Sequence, residues 1–307
     1  MTNRCIVCES NCYRPSIFGG YNYKNKNYTL VRCVKCGFMF LNPLPSCEVL
    51  DEIYNGYDYF EGYYGNGSRK SEYIAGMWDH SKNDLKTINL INLFKKSGKL
   101  LDLGCAGGRF MINARKSGFS VYGIEPNKKM ATHAKEKLEL EVLCRNIEDV
   151  SLEDRRFDII HAADVLEHLL GLPKTMVTIK NVLEDDGILV ISQPLTYNRS
   201  FYNLFLGINM LIKKDRYQSQ NPPTHLWEFN FATLRKFIEN MGFEILYYNI
   251  SESKSRALSI YKSPTLKNLL GHYSKNISSF LSNNPISKML KMGDRATVVC
   301  KKSIDET

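Results

Sequence analysis

Long apolar runs are missing from this 307-residue chain, and none approaches the roughly 18 residues that a membrane-crossing helix requires. The N-terminal MTNRCIVCES has no apolar core of the kind a secretory signal carries, so the chain is expected to stay in the cytoplasm where it is made. Proline is sparse, and neither a low-complexity tract nor an internal repeat is present, which argues against a disordered chain or a repeat array. A concentrated basic segment is also lacking. The net charge of +9 is spread over scattered pairs such as Lys95-Lys96, Lys128-Lys129 and Lys213-Lys214. That pattern suits a solvated surface, with attraction to an anionic partner as the competing reading.

What is present is ordinary globular composition, 43% hydrophobic and 24% charged, long enough for one full α/β domain plus a smaller module. The nine cysteines are odd in number and five of them precede residue 37, a pattern of metal ligation rather than of a disulfide framework. Cys5-x-x-Cys8 and Cys33-x-x-Cys36 form two knuckles, each able to turn two sulfurs toward one ion. Together they predict a tetrahedral Zn²⁺ site whose four protein ligands leave no position for water, hence a structural metal. A redox dithiol is the alternative, but it leaves the second pair unexplained; Cys12 is a spare with less suitable spacing. The expected organisation is a zinc ribbon over 1–45, a tyrosine-rich connector over 46–75 and an α/β domain over 76–307, with an insertion at 197–222. In the connector, Tyr57, Tyr59, Phe60, Tyr63 and Tyr64 either line a substrate entrance or pack the ribbon against its neighbour.

From about Trp78 onward, apolar strands alternate with amphipathic helices. KLLDL, FSVYGI, LEVLC, FDIIHAA, GILVISQP, FEILYYNI and RATVVCKK predict a doubly wound sheet of seven strands with helices on both faces. In such sheets ligands bind beyond the carboxyl ends of the strands.

The first strand breaks into Asp102-Leu103-Gly104-Cys105-Ala106-Gly107-Gly108, which fails two of the three positions of a G-x-G-x-x-G dinucleotide fingerprint. A carboxylate at Asp102 would repel a pyrophosphate but suits the ammonium and sulfonium of S-adenosylmethionine (SAM). The small residues at 104, 106 and 108 let the backbone approach the ligand closely. Glu125 ends the second strand, where a carboxylate can accept both ribose hydroxyls.

The run LLDLGCAGGRF…VYGIEP…NIEDV…FDIIHAADVLEHL…LEDDGILVISQP resembles the class I SAM-dependent methyltransferases, near the ubiquinone-pathway O-methyltransferases. The front end, CxxC…RCVKCGFMFLNPLP, is similar to zinc-ribbon methyltransferases of surface-polysaccharide and small-molecule biosynthesis. The resemblance implies a Rossmann-like domain in which Asp102, Gly104, Cys105, Ala106 and Gly108 frame the methionine moiety. Glu125 would hold the ribose, Asn146 and Ile147 would border the adenine, and Asp164 would lie beside the cofactor. Ala106 replaces a frequent glycine, which is harmless provided its φ is negative. Asp164, Glu167 and His168 match only loosely the positions associated with metal in the ubiquinone-pathway relatives.

Methyl transfer from a sulfonium needs alignment above all, with a base only where the acceptor must lose a proton. His168, after the fourth strand, and His225, in PPTHLWEF, are the candidates. The segment 197–220 reads as a lid or as an interfacial helix with weak membrane affinity, and 266–291 as an extra helix without assigned chemistry. Three functions follow: an O- or C-methyltransferase acting on a sugar-like small molecule, a zinc-ribbon RNA methyltransferase, or a SAM-binding scaffold without turnover.

Overall fold

A computed structural model describes residues 4–56, 74, 77, 81–152, 155–199, 218–219, 221–252, 273, 276–277, 280–281 and 284–303. The connector residues Tyr57, Tyr59, Phe60, Tyr63 and Tyr64 and most of the 197–222 insertion lie outside these, as does much of 266–291. The chain divides into two compact units. One comprises residues 1–45, 192–240 and 248–297, and the other 46–191, 241–247 and 298–307. The cysteine-bearing segment shares its unit with later segments of the chain.

In the first unit, β1 (Tyr13–Tyr23), β2 (Lys26–Cys33) and β3 (Met39–Asn42) form an antiparallel meander. Two short strands from far along the chain complete it. These are β9 (Gln218–Ser219), parallel to β1, and β10 (Trp227–Glu228), antiparallel to β3, giving the order β10-β3-β2-β1-β9. Its core is aromatic, with Phe38 stacked 5.9 Å from Phe40 and lying 4.8 Å from Phe229. Helix α6 (Phe231–Asn240) buries Phe231, Leu234, Phe237 and Ile238 at helical spacing, and Asn240 donates to the Val7 carbonyl at 2.8 Å.

The second unit opens with α1 (Cys47–Asn55) and α2 (Ser81–Ile91). The seven-stranded, mostly parallel sheet is built from β4 (Gly98–Leu103), β5 (Phe119–Ile124), β6 (Val142–Leu143), β7 (Phe157–Ala163), β8 (Leu183–Pro194), β11 (Phe243–Ser251) and β12 (Arg295–Lys302). Its order is β11-β12-β8-β7-β4-β5-β6. The third strand is only two residues long, shorter than LEVLC suggested. Helices α3 (Arg109–Lys116), α4 (Lys128–Leu138) and α5 (Leu172–Val182) supply the crossovers. Leu100, Ile159, Ile188 and Val190 from the strands meet Ile88, Ile91, Phe110 and Ala114 from α2 and α3 in one buried cluster. Chain order runs β4-β5-β6 to one side and then returns to β7 and β8 on the other. The reversal between β4 and β7 is the topological switch point where α/β sheets bind ligands.

Candidate active site

At the carboxyl end of β4 the chain turns sharply. Gly104 has φ +66°, and a Cβ there would lie 2.7 Å from the Val165 side chain, so the turn admits only glycine. Ala106 corrects the sequence expectation: its φ is +47°, in the left-handed region that costs an L-residue with a Cβ about 1–2 kcal/mol. What holds it there is hydrogen bonding. The Gly104 and Cys105 amides both donate to the Ile124 carbonyl, at 2.8 and 3.1 Å, and Gly108 donates to the Cys105 carbonyl at 2.9 Å. Gly108 then caps α3, and its neighbour Cys105 is buried, with desolvation pushing its thiol far above the usual range.

Glu125 follows β5 directly and is almost wholly buried. One carboxylate oxygen accepts the Ala106 amide at 2.8 Å and the other accepts the Asn127 amide at 2.8 Å. Asn127 in turn caps α4 by accepting from the Met130 amide and donates to the Tyr54 carbonyl. Each Glu125 oxygen keeps acceptor capacity beyond its one protein bond. Burial pushes the Glu125 carboxyl up to about 7 against the pull of the Asn127 and Ala106 amides, and Asp102 adds to the rise.

Asp102 stands opposite His161 in the β4–β7 register, so both side chains emerge on one face of the sheet. The His161 Nδ1 lies 2.7 Å from Asp102 Oδ1, and the imidazole stacks on Phe110 with centroids 3.8 Å apart. Burial raises the Asp102 carboxyl although His161 counteracts it. The sequence reading missed His161; the signal was a polar residue inside the otherwise apolar run FDIIHAA.

It also missed Asp84. This carboxylate occupies the buried face of α2 with Ile88 and Ile91, at i, i+4 and i+7. It takes two bonds from the Arg109 guanidinium, at 2.6 and 2.8 Å, and a third from Asn113 at 3.0 Å. A further Arg109 nitrogen reaches the Met77 carbonyl at 2.8 Å. The first turn of α3, and with it the glycine turn, is thereby clamped to α2.

A match to the methyltransferase domain family runs over residues 78–248, more than half of the chain and across both carboxylates of the turn. The chain belongs to that family. It is a class I methyltransferase and uses SAM. Among curated relatives, the ubiquinone biosynthesis O-methyltransferase of Glaesserella parasuis serovar 5 is 28% identical over 167 residues, spanning 47% of this chain and 70% of the relative. The enzyme of the same description from Rickettsia bellii is 25% identical, spanning 51% and 68%. In solved structures the fold recurs at low identity. A chain of the complex between the Haloferax volcanii Trm112 methyltransferase activator and a putative methyltransferase superposes with a TM-score of 0.55 at 12% identity, covering 82% of this chain and 99% of its own. Magnesium protoporphyrin IX methyltransferase from Synechocystis PCC 6803, with bound SAH, gives 0.53 at 14% identity, covering 84% and 100%.

The other sequence-derived candidates of the methyltransferase are each described by their own surroundings. Asn146 precedes a 3₁₀ turn, Ile147–Asp149, in which Ile147 is buried. Asp164 is exposed, with φ +55°, just past β7. His168 closes the 3₁₀ turn Leu166–His168. It meets the Tyr54 ring edge-on at 6.2 Å, and its Nε2 is 3.8 Å from Glu167, too far for a hydrogen bond. His225 lies in the loop before β10, with Nδ1 3.5 Å from the Glu228 carboxylate. Gln193, near the carboxyl end of β8, is buried with neither amide atom hydrogen-bonded among the described residues. Such a group costs free energy unless a ligand or water satisfies it. Nothing in its flanking sequence marked it.

The four knuckle sulfurs, Cys5, Cys8, Cys33 and Cys36, all lie within 4.8 Å of one another, with Cys5···Cys36 and Cys8···Cys33 at 3.5 Å. Tetrahedral zinc–thiolate bonds of about 2.3 Å place sulfurs about 3.8 Å apart, so the donor set fits the ion. Gly37, at φ +77°, lets the second knuckle close with its amide on the Cys33 carbonyl at 3.0 Å. Burial drives the Cys5 thiol far upward and Cys36 to about 11. At Cys33 burial also pushes up, but the Cys36 amide and the Cys8 thiol prevail and bring it to about 7.

Proposed function

We propose that this methyltransferase moves a methyl group from SAM to an oxygen or carbon of a small molecule, a sugar or nucleotide sugar being favoured. The observation that carries the SAM part is Glu125. A buried carboxylate holds the glycine turn through two backbone amides and keeps lone pairs for two more donors, which is what a ribose diol offers. Asp102, buried beside His161 one register step from the turn, supplies the negative charge that a sulfonium and an ammonium favour. Gly104, Cys105, Ala106 and Gly108 would cradle the methionine end, while Asn146, Ile147 and Asp164 would border the nucleoside. The family relationship to ubiquinone biosynthesis O-methyltransferases supports a small acceptor rather than a polymer.

SAM supplies an already activated methyl, so the protein's task is to align the acceptor and exclude water. Where the acceptor is a hydroxyl, a base must take its proton. His225, whose Nδ1 lies 3.5 Å from the Glu228 carboxylate, and His168 are the groups assigned to that task. The cysteine cluster is assigned a structural Zn²⁺, since four thiolates leave the ion without an open position for water. The described residues contain no helix long and apolar enough to cross a membrane, in keeping with a cytoplasmic enzyme. The deciding experiment is a screen of labelled-methyl transfer from SAM to nucleotide sugars, small phenols and total RNA. Incorporation into a small acceptor is expected; incorporation into RNA alone would replace this reading with that of an RNA methyltransferase.

A further inference from the structure

In the cysteine-bearing unit, Arg14 of β1 and Arg32 of β2 stand directly opposite each other in the antiparallel register. Like charges in that position repel. Neither guanidinium has a hydrogen-bond or ion-pair partner among the described residues. Arg32 is laid along Gly37, where an added Cβ would come within 3.2 Å of its Nη2.

Both arginines line a cavity of about 420 Å³ together with Ser16, Phe18, Tyr197 and Asn230. No acidic residue lines it among the described residues. Asn230 has its carbonyl oxygen held by the Thr233 amide at 3.0 Å, which leaves its NH₂ as the outward donor. Burial, then Glu228 and Tyr21, keep the Tyr197 phenol protonated far beyond its usual range, so it too is a donor. Ser16 is occupied: its hydroxyl accepts the Phe18 amide and points at the Met39 sulfur. Glu228 lies further along the same row of the sheet but faces His225. The cavity's side-chain polar groups thus offer donors and positive charge almost exclusively. The Phe18 and Tyr197 rings, 4.3 Å apart, add an apolar wall.

We propose that this cavity binds an organic phosphate, with Arg14 and Arg32 forking a phosphate or diphosphate between them and the aromatic wall receiving the organic part. A planar guanidinium presents paired N–H donors matched to phosphate oxygens, and two of them relieve their mutual repulsion on a shared anion. The volume exceeds what a bare phosphate fills and falls in the range of small-molecule sites. This site deepens the nucleotide-sugar reading above, and rests on that reading only for the claim that its ligand is the methyl acceptor.

Titration calorimetry of the full, zinc-loaded chain with uridine diphosphate and with inorganic pyrophosphate tests the site without turnover. Saturable one-to-one binding is expected, weakened at least about tenfold in R14M and in R32M, while S-adenosylhomocysteine affinity and zinc content stay unchanged. Uridine diphosphate should also raise the wild-type Tm by a few degrees, roughly, and leave the R14M/R32M double variant unmoved. The absence of saturable binding and of any Tm rise in wild type would overturn the site, as would binding indifferent to both substitutions. Binding of a structured RNA that depends on both arginines and is not displaced by uridine diphosphate would overturn it in favour of a nucleic-acid surface. If uridine diphosphate binds but no nucleotide sugar is methylated, the anion site stands and the acceptor reading falls.

Discussion

The carboxylate of Glu125 accepts the backbone amide of Ala106 at 2.8 Å, tying the end of β5 to a turn whose backbone sits at φ +47°. This one bond relates the strain of the turn to the charge beside it. The carboxylate proposed to meet a ribose thus joins the backbone bonds to Ile124 and Cys105 in holding the turn in its left-handed conformation.

Ala106→Gly should therefore stabilise the protein. Removing the Cβ relieves about 1–2 kcal/mol of left-handed strain, offset by about 0.4–1 kcal/mol of added freedom in the unfolded chain. A net gain of about 0.5–1 kcal/mol is expected in urea denaturation, with SAM affinity retained. A loss of stability would show that the Cβ contacts matter more than the dihedral.

Glu125→Ala should weaken SAM binding and also lower stability, by about 2–4 kcal/mol, because two buried amides lose their acceptor. Glu125 has a pH signature too. Its carboxyl is raised to about 7 in the folded protein, so between about pH 4.5 and 7 the folded state binds more protons than the unfolded one. Stability contributed by the protonated carboxyl is then present at low pH and lost as pH rises through 7, on the order of 3 kcal/mol in all. Denaturation of ligand-free wild type and Glu125→Gln from pH 5 to 8 reads this directly. The wild type should lose stability relative to the variant as pH increases; a flat difference would exclude the shift.

Breaking the clamp between Asp84 and Arg109 should cost about 3–5 kcal/mol when one partner alone is removed, since the other is left with an uncompensated charge. Asp84→Asn and Arg109→Met, with their double variant, form a cycle in thermal denaturation. The double variant should recover part of the loss. Simple additivity would mean that the pair does not act as a unit.

Metal analysis should find one zinc per chain, and Cys→Ser at any one of positions 5, 8, 33 or 36 should abolish it or sharply weaken it. Replacing the exposed Cys12 or Cys47 should leave the zinc content unchanged. Strong chelators should lower the Tm, because the ion's binding energy is folding energy for so small a metal-bound segment. Full zinc content after loss of one knuckle cysteine would remove the assignment.

His225→Ala should leave S-adenosylhomocysteine affinity within about twofold and lower kcat by about 10²–10⁴ on a hydroxyl acceptor. Unchanged turnover in His225→Ala would take it out of the reaction.

Residues whose meaning is local were readable from the amino-acid order. Two Cys-x-x-Cys knuckles, a small-residue turn after an apolar strand, and an acid ending the next strand each state their geometry within a few positions, because turn sterics and strand periodicity act over that range. The alternation of strands and helices likewise implied the doubly wound sheet. Tertiary structure alone decided the partners. His161 reaches Asp102 through the register of strands 59 residues apart in sequence, and Asp84 reaches Arg109 from a helix with no motif of its own. Strands β9 and β10 join the N-terminal meander from nearly 200 residues away, and Arg14 meets Arg32 only because β1 and β2 pair in one register. A side chain's sequence neighbourhood says which face it takes, but what stands opposite is settled when distant segments pack, and a buried charge or amide acquires its chemistry only then.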